Sequence, residues 1–91
     1  MAYRRVIVGT APTLIAPYNP KRDVLVIRNY SGSTCFIHDS QTDITTQGFP
    51  LAESEVVSFL EKDGDEPSVE VWGQTLSGTA DIRVYESFRE E

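Results

Sequence analysis

One cysteine and one histidine stand three residues apart, followed by two aspartates, and side chains of these types could bind a metal ion. Cys35 and His38 lie in a stretch that we predict to be a strand, and Asp39 and Asp43 follow it. Residues i and i+3 of a strand point to opposite faces, so the thiol and the imidazole would diverge. A structural zinc site needs about four ligands. We therefore predict a buried Cys35, an exposed His38 at the strand end, and no metal.

The acidic residues around Gly64 resemble a calcium-binding loop only superficially. Asp63, Asp65 and Glu66 lack the EF-hand spacing of a glycine at the sixth position and a glutamate at the twelfth. A charged, solvated turn is the better interpretation. The sequence also has no Gly-x-Ser-x-Gly elbow and no glycine-rich phosphate loop before a helix. With a single histidine, it indicates a protein that is not an enzyme and that uses no cofactor.

Aromatic residues are the remaining candidates for ligand contact. Trp72 and the tyrosines Tyr3, Tyr18, Tyr30 and Tyr85 could form a platform on which a sugar stacks. In a domain of this size, aromatic side chains more often belong to the core or to a subunit interface. Tyr85 is the member that we expect to be most exposed. We therefore single out Trp72 and Tyr85 as glycan-binding or interface residues.

Charge is distributed unevenly along the 91 residues. Residues 1–45 carry five basic side chains against three acidic ones, a charge of +2, whereas residues 46–91 carry three against eleven, a charge of −8. The total of −6 argues against nucleic acid or an anionic membrane as the main partner. The basic residues of the first part are the best candidates for docking on an acidic partner: Arg4, Arg5, Lys21 and Arg22.

Composition and turn spacing predict an all-β fold. About a quarter of the residues are Val, Ile or Thr, and turn-forming residues recur at short intervals. The single cysteine excludes an internal disulfide, and no apolar run approaches the roughly 18 residues of a membrane span. We predict a small antiparallel β-sandwich or barrel with about seven short strands, at residues 4–8, 13–16, 24–29, 35–38, 55–60, 69–72 and 80–85.

Two of these strands carry clear patterns, and one segment is ambiguous. Residues 24–27 are apolar on both faces and predict a central strand, while Ala80, Ile82 and Val84 alternate with polar residues and predict a half-buried strand. Residues 50–63 could form a short helix, but the pair Val56 and Val57 favours a strand. We expect one domain over residues 1–91, with residues 1–20 able to act as an N-terminal arm and residues 87–91 as a tail.

Three stretches, taken in order, resemble a known family. They are residues 22–29 (RDVLVIRN) followed by 35–37 (CFI), residues 48–56 (GFPLAESEV), and residues 77–86 (SGTADIRVYE). This set is similar to the small β-sandwich structural proteins of tailed phages and related viruses. Relatives usually have glycine where this chain has Ser54. The resemblance implies a non-enzymatic virion protein, such as a capsid decoration, head-fibre or tail accessory protein, that is assembled in the host cytoplasm.

The same resemblance implies partners. We expect a homo-oligomer, with a trimer as the first expectation, docked on the major capsid protein or another virion protein. A thin core gains stability from subunit burial, which also favours an oligomer. Two alternatives stay open at this point. One is a carbohydrate-binding or host-attachment module, and the other is an acidic decoy that mimics DNA.

Overall fold

A computed structural model describes residues 2–60 and 68–88, and these form two four-stranded antiparallel sheets packed face to face. The elements in chain order are β1 (Ala2–Val8), β2 (Thr13–Ala16), β3 (Arg22–Asn29), β4 (Cys35–His38), α1 (Ile44–Gln47), β5 (Phe49–Leu51), β6 (Val56–Leu60), β7 (Val71–Thr75) and β8 (Ala80–Phe88). The first sheet has the order β1-β8-β3-β6 and the second the order β2-β7-β4-β5. The predicted small all-β sandwich is confirmed.

The core lies between the two sheets because each strand turns alternate side chains inward. In β8, Ala80, Ile82 and Val84 are buried while Arg83 is exposed, as the period of two predicted. Leu25 and Ile27 of β3 face the same core. Each valine, leucine or isoleucine side chain removed from water in this way stabilises the fold by about 1.5–3 kcal/mol.

Strand β3 is central, as its doubly apolar pattern predicted. It pairs with β8 on one side and with β6 on the other. Its outward residues Val24 and Val26 are half-buried rather than fully solvated. The outer face of this sheet therefore has an apolar middle, which matters for the candidate site.

The segment between β4 and β6 holds two elements that sequence patterns did not predict, the helical turn α1 and the three-residue strand β5. Gly48 joins them at a close backbone approach. A Cβ atom there would lie 2.2 Å from the Ile44 carbonyl oxygen and 2.7 Å from that of Ile37, so only glycine fits. A strand this short, with Pro50 at its centre, shows no period that could reveal it.

Several predicted boundaries change. The strand predicted at residues 69–72 begins instead at Val71 and runs to Thr75, where it pairs with β2 and β4. Before it, the Val69 carbonyl oxygen accepts a hydrogen bond from Arg22. Within the segment predicted as an N-terminal arm, residues 2–8 and 13–16 form β1 and β2, and residues 87–88 of the predicted tail belong to β8. The ambiguous segment is a strand at residues 56–60.

The predicted acidic turn around Gly64 and the last residues of the predicted tail lie outside the described residues. Within residues 2–60 and 68–88, no helix has the length and apolar character needed to cross a membrane.

Candidate functional site

Arg22 was predicted to dock a partner, and the structure shows instead that it is a core residue. Its side chain is 0% exposed. The guanidinium donates to the carbonyl oxygens of Pro17 at 3.0 Å and Val69 at 2.7 Å, and pairs with the Glu86 carboxylate at 3.3 Å. A buried charge needs such partners, and here they tie β3 to β8 and to the segments before β3 and β7.

Arg4 is half-buried and also faces inward. It forms an ion pair with Glu86 and donates to the Ile15 carbonyl oxygen at 2.7 Å. Glu86, itself only 3% exposed, thus sits between two arginines. Sequence reasoning missed this residue, although a signal existed: Glu86 continues the alternation of the inward residues of β8.

The two other predicted docking residues lie apart from each other. Lys21 is in the turn before β3, at the end of the sheet where Arg22 pairs with Phe88. Arg5 is on the outer face of β1, opposite Arg83 in the adjacent strand. The four basic residues therefore do not form one patch, and of the four only Arg5 lies on the outer face of the first sheet.

Trp72 and Tyr85 do not share a platform either. Trp72 points away from the core on β7 of the second sheet, and its indole Nε1 donates to the Glu70 carboxylate. Tyr85 points away from the core on β8 of the first sheet. It is half-buried, whereas Tyr3, Tyr18 and Tyr30 are exposed, so the prediction that Tyr85 is the most exposed of these aromatic residues is wrong. Because the sheets pack against each other through their inner faces, these two rings lie on opposite outer surfaces.

The outer face of the first sheet brings together tyrosines and arginines that are distant in sequence. We call it the tyrosine–arginine face and define it as Tyr3, Arg5, Val26, Arg28, Tyr30, Asp81, Arg83 and Tyr85. The rings of Tyr3 and Tyr85, neighbours across β1 and β8, have centroids 5.0 Å apart at 48°. Tyr3 is 75% exposed and Tyr30 is 60% exposed.

Two arginines approach the Tyr30 ring. The Cζ atom of Arg83 lies 4.8 Å from the ring centroid and that of Arg28 lies 5.7 Å from it. Both distances are within the range of a cation–π interaction. The contacts hold the tyrosine and the two guanidinium groups in a defined arrangement on the surface.

Asp81 organises the charged part of this face. Its carboxylate accepts two hydrogen bonds from Arg83, at 2.9 and 3.1 Å, and one from Arg5 at 3.1 Å. The bond from Arg83, followed by that from Arg5, holds the pKa of Asp81 below its ordinary value, and the pKa of Arg83 is raised in turn. Three arginines against this one carboxylate leave the face with an excess of about two positive charges in a chain whose net charge is −6.

A groove of about 410 Å³ crosses the middle of the face. Val26, Tyr3 and Tyr85 line it together with Arg5, Arg28 and Arg83. Apolar and aromatic side chains combined with a few charged groups are the usual lining of a protein-binding or ligand-binding surface. Sequence reasoning did not single out Arg28 or Arg83, because their meeting depends on how β3 and β8 pair.

The candidate metal residues separate as predicted. Cys35 is buried in the core, where desolvation raises the pKa of its thiol to about 11, whereas His38 faces the other side of β4. His38 is half-buried rather than exposed, and its Nδ1 accepts a hydrogen bond from the Ser40 amide at 3.1 Å. Among the described residues, no three His, Cys, Asp or Glu side chains form a cluster suited to a metal ion.

The three stretches that carry the family resemblance meet around Asn29. Its amide group donates to the carbonyl oxygens of Ser33 at 2.7 Å and Leu51 at 2.8 Å, and its backbone bonds with Ser54 and Glu55. The following residue, Tyr30, bonds through its backbone N–H to the carbonyl oxygen of Asp81 at 2.8 Å. These motif residues hold strands and turns together. The ordered pattern of the three stretches therefore reflects contacts that stabilise the fold.

Ser54, which stands where the resemblance implies a glycine, adopts a φ of 66°. This left-handed conformation is the one that glycine favours. The turn before β6 therefore has the backbone that a glycine would provide, with a serine in its place.

The sequence was also compared with known proteins. No family model matches it, and neither a curated protein nor a solved structure is significantly similar to it.

Proposed function

We propose that this chain is a non-enzymatic protein-binding module that docks on an acidic surface through its tyrosine–arginine face. The observation that carries the proposal is the concentration of three arginines and three tyrosines on one sheet face of an acidic protein. Tyrosine and arginine are enriched among the residues that dominate binding energy at protein interfaces. They provide large contact area and charge-assisted hydrogen bonds to carboxylates.

The geometry supports a protein surface as the partner. The face is a broad sheet surface rather than a deep cavity, and its rings and guanidinium groups are already held by contacts with each other. Such pre-arrangement lowers the entropic cost of binding. The partner that complements the excess positive charge is a surface rich in aspartate and glutamate.

We propose further that the acidic partner is the major capsid protein or another component of a virus particle. In this role the chain is an accessory virion protein of the decoration, head-fibre or tail type, assembled in the host cytoplasm as a homo-oligomer. The support is the ordered set of motifs in residues 22–86 and the small sandwich that they hold together.

Charge reversal on the face tests the proposal. Particles produced without this protein are mixed with the purified chain, and bound protein is measured by co-sedimentation at several salt concentrations. Arg28→Glu should reduce occupancy at least about tenfold, and occupancy of the unaltered protein should fall as salt screens the attraction. Lys21→Glu is the matched control, because it makes the same charge change outside the face. Equal occupancy of both variants would refute the docking face.

A carbohydrate-binding module is the second candidate, and the paired Tyr3 and Tyr85 rings that line the groove are the observation that favours it. Aromatic rings that line a groove can stack on a sugar. A glycan array with the unaltered chain and with Tyr85→Ala distinguishes the candidates. Binding that depends on Tyr85 and persists in high salt would favour the carbohydrate role.

The DNA-mimic alternative has little support in the described residues. Four of the five carboxylates described after residue 46 are engaged: Glu86 and Asp81 are held by arginines, Glu70 accepts a bond from Trp72, and Glu55 accepts one from the Ala52 amide. Carboxylates engaged in this way do not form the exposed, regular row that a mimic of the DNA backbone needs.

A further inference from the structure

Three exposed arginines form a row across the tyrosine–arginine face. Arg5 of β1 is the cross-strand partner of Arg83 in β8, and Arg83 is in turn the partner of Arg28 in β3. Neighbouring strands lie about 4.8 Å apart, so this arginine row crosses the strands and spans about 10 Å from Arg5 to Arg28. Each strand contributes one arginine to it.

An apolar row lies beside the arginine row on the same three strands. Tyr3 and Val26 are the cross-strand partners of Tyr85, and each of the three stands two residues from the arginine of its own strand. Two residues of a strand cover about 7 Å, which sets the distance between the rows. The groove of about 410 Å³ is lined by residues of both rows and therefore extends over three strands.

The arginine row has positive charge left for a partner. Arg5 and Arg83 share the single carboxylate of Asp81. In the part of the chain that the structure describes, no carboxylate pairs with Arg28, whose Cζ atom lies 5.7 Å from the centroid of the Tyr30 ring. A guanidinium that contacts an aromatic ring can still donate hydrogen bonds in its own plane.

The spacing of the row discriminates between partner backbones. Alternate side chains of an extended segment lie about 6.7 Å apart, which does not match the arginines, and a segment laid along one strand would meet one arginine only. Along an α-helix, residues i, i+3 and i+7 project from one side and span about 10.5 Å, close to the length of the row. Residues i+1, i+4 and i+8 form the neighbouring stripe, about 100° around the helix.

From these observations we infer that the tyrosine–arginine face binds an acidic amphipathic α-helix of its partner, which lies across β1, β8 and β3. This deepens the proposed function and rests on its docking face. Acidic side chains of the helix contact the arginine row, and the apolar stripe beside them packs on Tyr3, Val26 and Tyr85. Helices are recognised by apolar grooves through anchors at such spacings, and arginines add charge-assisted hydrogen bonds to carboxylates.

Two synthetic peptides test the kind of partner. The first is an alanine-based peptide of about 18 residues, marginally helical by itself, with glutamates at i, i+3 and i+7 and leucines at i+1, i+4 and i+8. The matched peptide keeps the leucines but has its glutamates at i, i+5 and i+10, which point to three sides of a helix. In fluorescence anisotropy the first peptide should bind at least about tenfold more tightly, and circular dichroism should show its helicity rising on binding. Equal affinity of the two peptides would overturn the inference.

A pair of protein variants tests where the first peptide binds. Arg28→Gln removes one positive charge from the row and should weaken binding about tenfold. Gln47→Glu makes the same change in net charge on the exposed surface of α1, which packs beside β4 and β7 of the second sheet, and should leave binding unchanged. Equal affinities of these two variants would contradict contact with the row.

Exchanged charges test the orientation of the helix. Arg5→Glu and Arg28→Glu reverse the charge at opposite ends of the row, in separate proteins. Replacing the first glutamate of the peptide by arginine should restore binding to one variant, and replacing the last should restore it to the other, because the two ends of the helix lie on different strands. Restoration of both variants by the same peptide would overturn the alignment. Urea unfolding checks that each variant is folded, and Arg28→Gln keeps the test valid if a reversal prevents folding.

Failure of the inference is distinguishable from failure of the proposed function. If Arg28→Glu loses occupancy on particles while the first peptide binds no better than the matched one, the docking face stands and the helix is overturned. If Arg28→Glu and Lys21→Glu occupy particles equally, the docking face fails and the inference fails with it.

Discussion

Replacing Glu86 with alanine is the most direct test of the reasoning about the core. This carboxylate is 3% exposed and pairs with Arg22, whose side chain is 0% exposed, and with Arg4. Its removal takes from the buried Arg22 charge its carboxylate partner on β8, while the carbonyl oxygens of Pro17 and Val69 still accept hydrogen bonds from it. Breaking a buried pair by removing one partner costs about 3–5 kcal/mol. Because those carbonyls remain, we expect a loss of about 3 kcal/mol in the free energy of unfolding.

That loss is large for a domain of this size. At roughly 0.05–0.15 kcal/mol per residue, the total stability is about 5–14 kcal/mol. Urea unfolding followed by Trp72 fluorescence measures the change. With a denaturant slope of about 1 kcal/mol/M, the midpoint should fall by about 3 M.

Asp81→Ala is the matched control, because Asp81 is a second carboxylate of β8 that is held by two arginines, but on the outer face. Solvent screens that cluster, so its loss should shift the midpoint far less. A double-mutant cycle with Arg22→Met should show coupling of about 1–3 kcal/mol to Glu86. Equal midpoints for Glu86→Ala and Asp81→Ala would refute the argument that burial makes the Glu86 pair costly to break.

Three further predictions concern single residues. Ser54→Gly should raise the free energy of unfolding, measured by urea unfolding, by up to about 1 kcal/mol. The reason is that glycine adopts the left-handed backbone conformation at a φ of 66° without the strain that a serine has there. A loss of stability would contradict this. Cys35 should react with a thiol reagent at neutral pH only after unfolding, and rapid labelling of the native protein would contradict its burial. The free energy of unfolding should decrease as the pH rises from about 9 towards 11. The reason is that the thiol ionises first in the unfolded chain, whereas the native thiol has a pKa of about 11. Asp81 should titrate below the ordinary pKa of 3.8 in an NMR experiment, and Arg83→Ala should move its pKa back upwards. Because the pKa of Asp81 is lower in the folded state, this cluster stabilises the fold at pH values above 3.8. That stabilisation is lost as the pH falls through the pKa of the folded state.

The fold class and most strands were predictable because they depend on local patterns. The alternation of Ala80, Ile82 and Val84 and the apolar run at residues 24–27 indicate which faces are buried, whatever the strands pack against. Strand β5 and the turn α1 were missed. They depend on the close approach of backbone at Gly48, which involves Ile37 and Ile44 and which no periodicity reveals.

The candidate site was less predictable than the fold. Arg4, Arg5, Lys21 and Arg22 are close in sequence, yet the structure places two of them inward and separates the other two. Their different positions follow from strand alternation and from the partner that Glu86 provides. Neighbouring residues in a strand point to opposite faces, so a cluster of charges in the sequence is no cluster on the surface.

The sequence by itself determined that this chain folds as a small antiparallel all-β domain, because side-chain type and period decide which strand faces leave water. Only the tertiary structure decided which side chains meet on the surface. Tyr3, Arg28, Tyr30 and Arg83 come from three different segments, and the register of β1 and β3 with β8 brings them together. That register is set by the packing of all the strands at once, since a slip of one residue would turn every buried side chain of a strand towards solvent.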